Sequence, residues 1–360
     1  MKFLREKLQN AFAMTPLFEI VRDSSIYGIT RVVSIIFGLI SIPIFARIMT
    51  PETFGVYSLA LLTVTISSRV VHEWSRSSIL RFDSKYYDTD EYDRYISNIF
   101  ITPILIGVIV GSIIIGLWLS TDLFNEYNEY VIVSVAVFLL SIINALLITI
   151  LRVRQKAKEF SLLQLLNRIG SLTIGILLVL MFNLGGEGLL WGMLITLSIV
   201  IPIGIRWTSI TSMISYRSVK FSAVKRYLSY GIPLTLFALA LFLMRYTDRY
   251  MISYFRNMNE VGLYSFASMF PQKTIEMLIG IIALGAFPVI VREWENNNRN
   301  EAIGITSRLA RYYMLINVPI ISIMIIFPAH TAATNPANNK VSAYSAVPLL
   351  SIASYFIAFA

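Results

Sequence analysis

Runs of about twenty apolar residues recur from one end of this chain to the other, each long enough to cross a hydrocarbon core about 30 Å thick. Lipid offers no hydrogen bonds to a bare backbone, so such runs fold as helices whose N–H and C=O groups pair internally. Ten helices are expected, near 24–48, 54–82, 95–119, 129–151, 161–182, 187–208, 226–255, 261–290, 302–328 and 342–360. Breaker and charge clusters mark the gaps: Thr50-Pro51-Glu52, the acidic stretch from Asp88 to Asp93, and the turn Gly185-Gly186-Glu187-Gly188. With 56% apolar and only 14% charged residues, the chain reads as an all-α integral membrane protein.

Lysine and arginine in the gaps set the expected orientation. The N-terminal segment has Lys2, Arg5, Lys7 and Arg22, and the even-numbered loops carry clusters such as Arg152, Arg154, Lys156 and Lys158. Odd-numbered loops hold only Arg47, Arg256 and Lys340. The N-terminus and even loops are therefore expected in the cytoplasm, with residues 1–23 as an amphipathic segment on the membrane surface. The net charge of +9 is explained by this topology, and no nucleic-acid partner is expected.

Two short words echo each other. GVYSLA (Gly55 to Ala60) and GLYSFA (Gly262 to Ala267) lie about 207 residues apart and share Gly, Tyr, Ser and Ala. Each follows an apolar helix and opens the next, which points to a transporter of two related halves with the substrate path between them. The halves are placed at 24–210, a first six-helix bundle, and 225–360, a second of about four helices. The second is apparently incomplete, about two helices short of the first.

Several ionisable residues lie inside expected helices, where each costs at least a few kcal/mol unless it faces a partner or a wet cavity. Arg69, Glu73 and Arg76 share one face of helix two; Arg245, Asp248 and Arg249 share one of helix seven; Lys273 and Glu276 share one of helix eight. Arg31 stands alone in helix one. These nine residues are the candidate lining of a basic cavity between the halves. Plainer alternatives remain open for seven of them: ion pairs within a helix for Arg69–Glu73 and Lys273–Glu276, snorkelling for Arg76, a helix terminus for Asp248 and Arg249. Arg168, near the expected start of helix five, reads as interfacial, and His72 as a packed or boundary histidine.

The absence of cysteine excludes disulfides and thiol chemistry, and two histidines, His72 and His330, cannot build a multi-histidine metal site. The chain has no Walker motif or Gly-rich nucleotide loop before a helix, so neither a cofactor nor ATP-driven transport by the chain itself is expected.

PIFARIMTPETFGVYSLA (Pro43 to Ala60) and RYTDRYMISYFRNMNEVGLYSFA (Arg245 to Ala267) resemble the polysaccharide flippases of the multidrug/oligosaccharidyl-lipid/polysaccharide exporter superfamily. In both, a helix ends in basic residues, a short loop follows, and Gly-x-Tyr opens the next helix. The second stretch adds an Asp248-Arg249 pair. The resemblance, over about residues 20–330, implies a V-shaped, MATE-like pair of bundles working by alternating access. It implies movement of polyprenyl-(pyro)phosphate-linked oligosaccharide to the outer leaflet of the cell membrane, for O-antigen, capsule or exopolysaccharide assembly. Membrane lipids, a polysaccharide polymerase and glycosyltransferases are the further partners it implies.

Three rival readings fit the sequence less well. A multidrug antiporter of the same superfamily expects an acid deep in helix one or seven, and helix one carries Arg31 instead. A peptidoglycan-precursor flippase usually has extra helices. A membrane glycosyltransferase or polymerase needs a large outer loop, whereas the longest in the well-matched region is Asp122 to Glu129. No enzymatic activity is expected.

Overall fold

The computed structural model describes residues 26–120, 127–215, 219–295, 298–326 and 347–359, apart from the side chains of Phe221, Phe270, Glu276, 279–288, 291, 292, 295 and 356–359. The N-terminal segment expected at 1–23 and the polar stretch from His330 to Lys340 lie outside the described residues.

Among the described residues ten α-helices follow one another: α1 (Ile26–Ile48), α2 (Pro51–Tyr86), α3 (Tyr92–Ser120), α4 (Asn128–Val153), α5 (Ala157–Phe182), α6 (Glu187–Thr208), α7 (Phe221–Phe255), α8 (Met258–Glu295), α9 (Arg299–Ile326) and α10 (Val347–Phe359). Among the described residues eight of them, α1 to α7 and α9, are long and apolar enough to cross a membrane. The chain is an all-α, multi-pass membrane protein. Neighbouring helices run in opposite directions, so the basic loops gather at one end of the bundle, here termed the basic end.

Several helices begin earlier than the apolar runs do. Thr50 caps α2, its side-chain oxygen accepting from the Thr53 N–H at 3.2 Å, and Pro51 occupies the first helical position, where its missing N–H costs nothing. At the basic end α5 starts at Ala157 and α7 at Phe221, four and five residues before the positions expected. Polar residues there extend the helices beyond the hydrocarbon, where an apolar pattern cannot register them.

Helix α2 is the hub, packing against α3, α4, α6, α7 and α8. Its inner flank rests on α4, where Ile142, Leu146 and Ile150, spaced four apart, are fully buried. Helices α5 and α6 form a close hairpin in which Gly192 meets the backbone of Gly175.

The repeat words meet each other. A Cβ on Gly55 would overlap the Met258 carbonyl, and a Cβ on Gly262 would overlap the Pro51 carbonyl. Both pairings exchange positions 207 residues apart, as do Ser58 and Ser265, whose hydroxyls hydrogen-bond at 3.0 Å. Phe54 stacks on Phe266 beside them, ring centroids 4.0 Å apart. The start of α2 and the start of α8 thus cross backbone to backbone in a reciprocal, two-fold-like contact at the end opposite the basic loops.

Because the chain has no native cysteine, Ser58→Cys with Ser265→Cys is expected to form a single intramolecular disulfide under mild oxidation, read as a mobility shift on a non-reducing gel. Gly262→Val is expected to abolish that cross-link and to lower thermal stability in detergent by on the order of 1–3 kcal/mol, the usual cost of overpacking.

Candidate functional site

The charges of α2 open onto a cavity. Thr65, Ser68, Arg69, His72, Glu73, Arg76 and Leu80 form one helical face, and Ser141, Asn144, Ala145, Ile148, Thr149 and Arg152 form the opposing face of α4. Phe160 and Gln164 of α5 and Met193 of α6 complete a volume of about 440 Å³. The cavity extends from Leu80, Arg152 and Phe160, near the basic ends of their helices, to Val64 in the middle of α2.

Three arginines and one glutamate line it. Glu73 pairs with Arg76 at 3.1 Å, one helical turn away, and not with Arg69. Among the described residues Arg69 and Arg152 form no ion pair, so two cations are uncompensated. Glu73 is the more enclosed partner, its side chain 12% exposed against 34% for Arg76, which leaves the arginine free to turn toward a ligand. Neutral polar groups lie between the charges. Asn144 is oriented by accepting from the Asn167 amide at 3.0 Å, and His72 is buried with its Nδ1 unpaired. Arginine donors flanked by amide and hydroxyl groups have the chemistry to hold a multivalent oxyanion.

A second cationic point lies at mid-α1. The Arg168 Nη2 comes within 3.1 Å of the position a Gly38 Cβ would occupy, and the Lys273 Cδ within 3.6 Å. Arg168 belongs to α5 and Lys273 to α8, so both halves reach the same place. Arg168 is therefore not interfacial: with α5 beginning at Ala157 it sits eleven residues in, roughly 16 Å along the helix. Arg31 is exposed and shares an α1 stripe with Gly38 and with Tyr27, whose ring packs on Phe160 at 5.0 Å. That stripe faces α5 beside the cavity.

The remaining candidates do not join this lining. Arg249 is buried at the α2–α8 crossing, where it donates to Ser58 Oγ at 3.4 Å and Ser268 Oγ at 2.9 Å and lies 5.5 Å from the Tyr246 ring. Asp248 faces elsewhere, accepting from the Arg249 backbone N–H at 2.8 Å and from the Tyr264 hydroxyl. Arg245 is exposed on α7, away from the cavity. The Glu276 side chain lies outside the described residues. In the sequence Arg152 counts only as a loop charge and Arg168 only as an interfacial one; the i, i+4 and i+8 positions of α4 from Asn144 are the signal that sets Arg152 on the cavity.

A profile of the family described as "Polysaccharide biosynthesis protein" matches residues 44–332. The chain belongs to this family. No curated protein sequence matches it. Solved structures supply the fold. An inward-facing multidrug resistance MATE family transporter of the MOP superfamily superposes with a TM-score of 0.65 at 15% identity, over 89% of this chain and 79% of that one. An outward-facing structure of a MATE family transporter superposes with a TM-score of 0.63 at 13% identity, over 94% and 79%. A MATE crystallised in complex with MaL6 gives 0.60 at 15% identity, over 94% and 81%. This member of the polysaccharide biosynthesis family thus has the fold of the membrane exporters of the MOP superfamily.

The two kinds of arginine should separate in a stability assay. Arg249→Ala strips buried hydroxyls of their donor and is expected to cost about 1–3 kcal/mol of stability, read as a lower melting temperature in detergent. Arg69→Gln and Arg152→Gln break no ion pair among the described residues and are expected to leave that temperature nearly unchanged.

Proposed function

We propose that this family member flips polyprenyl-(pyro)phosphate-linked oligosaccharide from the cytoplasmic to the outer leaflet of the cell membrane, for cell-surface polysaccharide assembly. The observation that carries this reading is the cavity beside α2, where three arginines outnumber a single glutamate within the membrane-spanning part of the fold. A (pyro)phosphate stranded in hydrocarbon is prohibitively costly, and paired guanidinium donors replace the water it loses. The neutral amides and hydroxyls between them suit sugar hydroxyls.

Arg69, Arg76 and Arg152 receive the headgroup in this reading, with Arg31, Arg168 and Lys273 as the next cationic station toward the second half. Arg245, exposed on α7, is available to the sugars later on the path. Glu73 holds Arg76 until the anion, or a proton on the carboxylate, releases it. The excess of lysine and arginine supports a cytoplasmic basic end and N-terminus in this reading. The α2–α8 crossing then closes the outer end while the cavity receives substrate from inside, one half of an alternating-access cycle. A polymerase and glycosyltransferases are the natural partners at either end of the path. No chemical step is asked of the protein.

The test is leaflet exposure of a labelled polyprenyl-pyrophosphate oligosaccharide in vesicles. Arg69→Ala and Arg152→Ala are each expected to slow flipping about ten- to a hundredfold, the loss of one charge-assisted contact of about 1.5–3 kcal/mol. Folded variants that flip at the parent rate would show the arginines to be structural. A folded parent that flips a fluorescent cationic drug but no lipid-linked sugar would assign the cavity to drug export.

A further inference from the structure

A second cavity lies end to end with the basic one along the same two helices. It occupies about 320 Å³ and is walled by Leu59, Ala60 and Thr63 of α2 and by Val131, Ser134 and Phe138 of α4. On the α7 side the Thr63 and Tyr250 hydroxyls close it with a hydrogen bond of 3.0 Å. Its surface is almost wholly hydrocarbon and aromatic. Val64 lines both cavities. On α4 the apolar lining ends at Phe138 and the polar lining begins at Ser141, less than one turn later. The α2–α4 seam is therefore amphipathic along its length: cationic toward the basic end, apolar beyond Val64.

We infer that the seam between α2 and α4 binds an anionic single-chain amphiphile lengthwise, its phosphate among Arg69, Arg76 and Arg152 and its hydrocarbon chain in the apolar cavity beyond Val64. The polarity of the seam selects this occupant. A molecule in the leaflet at the basic end has its headgroup at that end and its chain pointing to the bilayer centre, and the two linings follow that order. The distance fits as well. From Arg69 to Leu59 is ten residues of α2, about 15 Å, the reach of a chain of about ten to twelve carbons. A free oxyanion would use only the first cavity and a neutral hydrocarbon only the second; both together are matched by one molecule that carries both parts. The inference rests on the proposed function for the role of the arginines and adds to it that the first stretch of the lipid chain enters the protein instead of remaining in the bilayer.

The probe is decyl phosphate bearing a diazirine at the far end of its chain, photolysed with the full chain in phosphatidylcholine nanodiscs and mapped by mass spectrometry. Labelling is expected within residues 56–67 of α2 and 128–138 of α4. The phosphate-free probe, the same chain as an alcohol, is expected to label these segments at least tenfold less. Ser134→Trp fills the apolar cavity at a hydroxyl that makes no hydrogen bond. It is expected to cut the labelling at least tenfold, as is Arg69→Gln with Arg152→Gln, each variant first being shown to keep the parent melting temperature. Should Ser134→Trp prove unstable, Ser134→Leu replaces it. Labels confined to lipid-facing positions of α3 such as Leu105, Ile109 and Ile113 would overturn the inference, as would labelling that ignores the arginines. If labelling needs the arginines but not the space at Ser134, the chain stays outside; the inference fails while the leaflet-exposure result for the proposed function stands unaffected.

Discussion

The architecture turns on one steric fact: at Gly55 and Gly262 there is no room for a side chain. Each glycine accepts a carbonyl of the facing helix, Met258 and Pro51 respectively, and the exchange is reciprocal. In lipid, where apolar surfaces gain little by meeting one another, close backbone approach of this kind and the hydrogen bonds it permits replace the hydrophobic effect as the force between helices. Ser58, Ser265, Ser268 and Arg249 then form a small polar cluster at the crossing. The positions of α2, and hence of everything that faces α4 and α7, follow from it.

Charge in the membrane interior is the second constraint, and it is met in two ways. Arg249 is enclosed and bonded to hydroxyls, so its charge is part of the joint between halves. Arg69 and Arg152 are without carboxylate partners among the described residues and open onto a cavity, an arrangement that makes sense only where water or an anion is admitted. Glu73 sits between the two solutions, holding one arginine and leaving its neighbour one turn away unpaired.

Much of the fold was legible in the sequence, because the thickness of a bilayer imposes a length on every apolar run. The ten described helices fall where those runs do, and the displaced boundaries, such as the early start of α5, belong to polar turns that hydropathy cannot see. That early start is also why Arg168 was misplaced: four residues of extra helix carry it from the interface to the middle of α1. The echo of GVYSLA in GLYSFA was legible as duplication, but nothing in a one-dimensional pattern says that two copies touch. The shared face of Arg69, Glu73 and Arg76 was legible from helical spacing. Their pairing was not, since i, i+3 and i, i+4 partners compete and the choice of Arg76 depends on rotamers. Arg152 was hidden by its own usefulness as a topological signal: a basic residue at a helix end counts toward orientation, and only the opposing face of α4 reveals that it also lines a cavity. The spacing puts Asp248 and Arg249 on one face of helix seven, yet consecutive side chains of a helix point apart by about 100°, and the two find different partners.

Helix α2 is 36 residues long, about 54 Å, and its only proline is at its first position, so it runs without a proline kink. The second half grips this helix twice: at Gly55 through α8, and at Trp74 through α7, where Gly231 fits against the Trp74 backbone. The two grips are nineteen residues, roughly 28 Å, apart. A body held at two separated points along a helix is fixed in tilt as well as in position. Two glycine-made joints on one helix thus tie the second half of the chain to α2 at two points along its length.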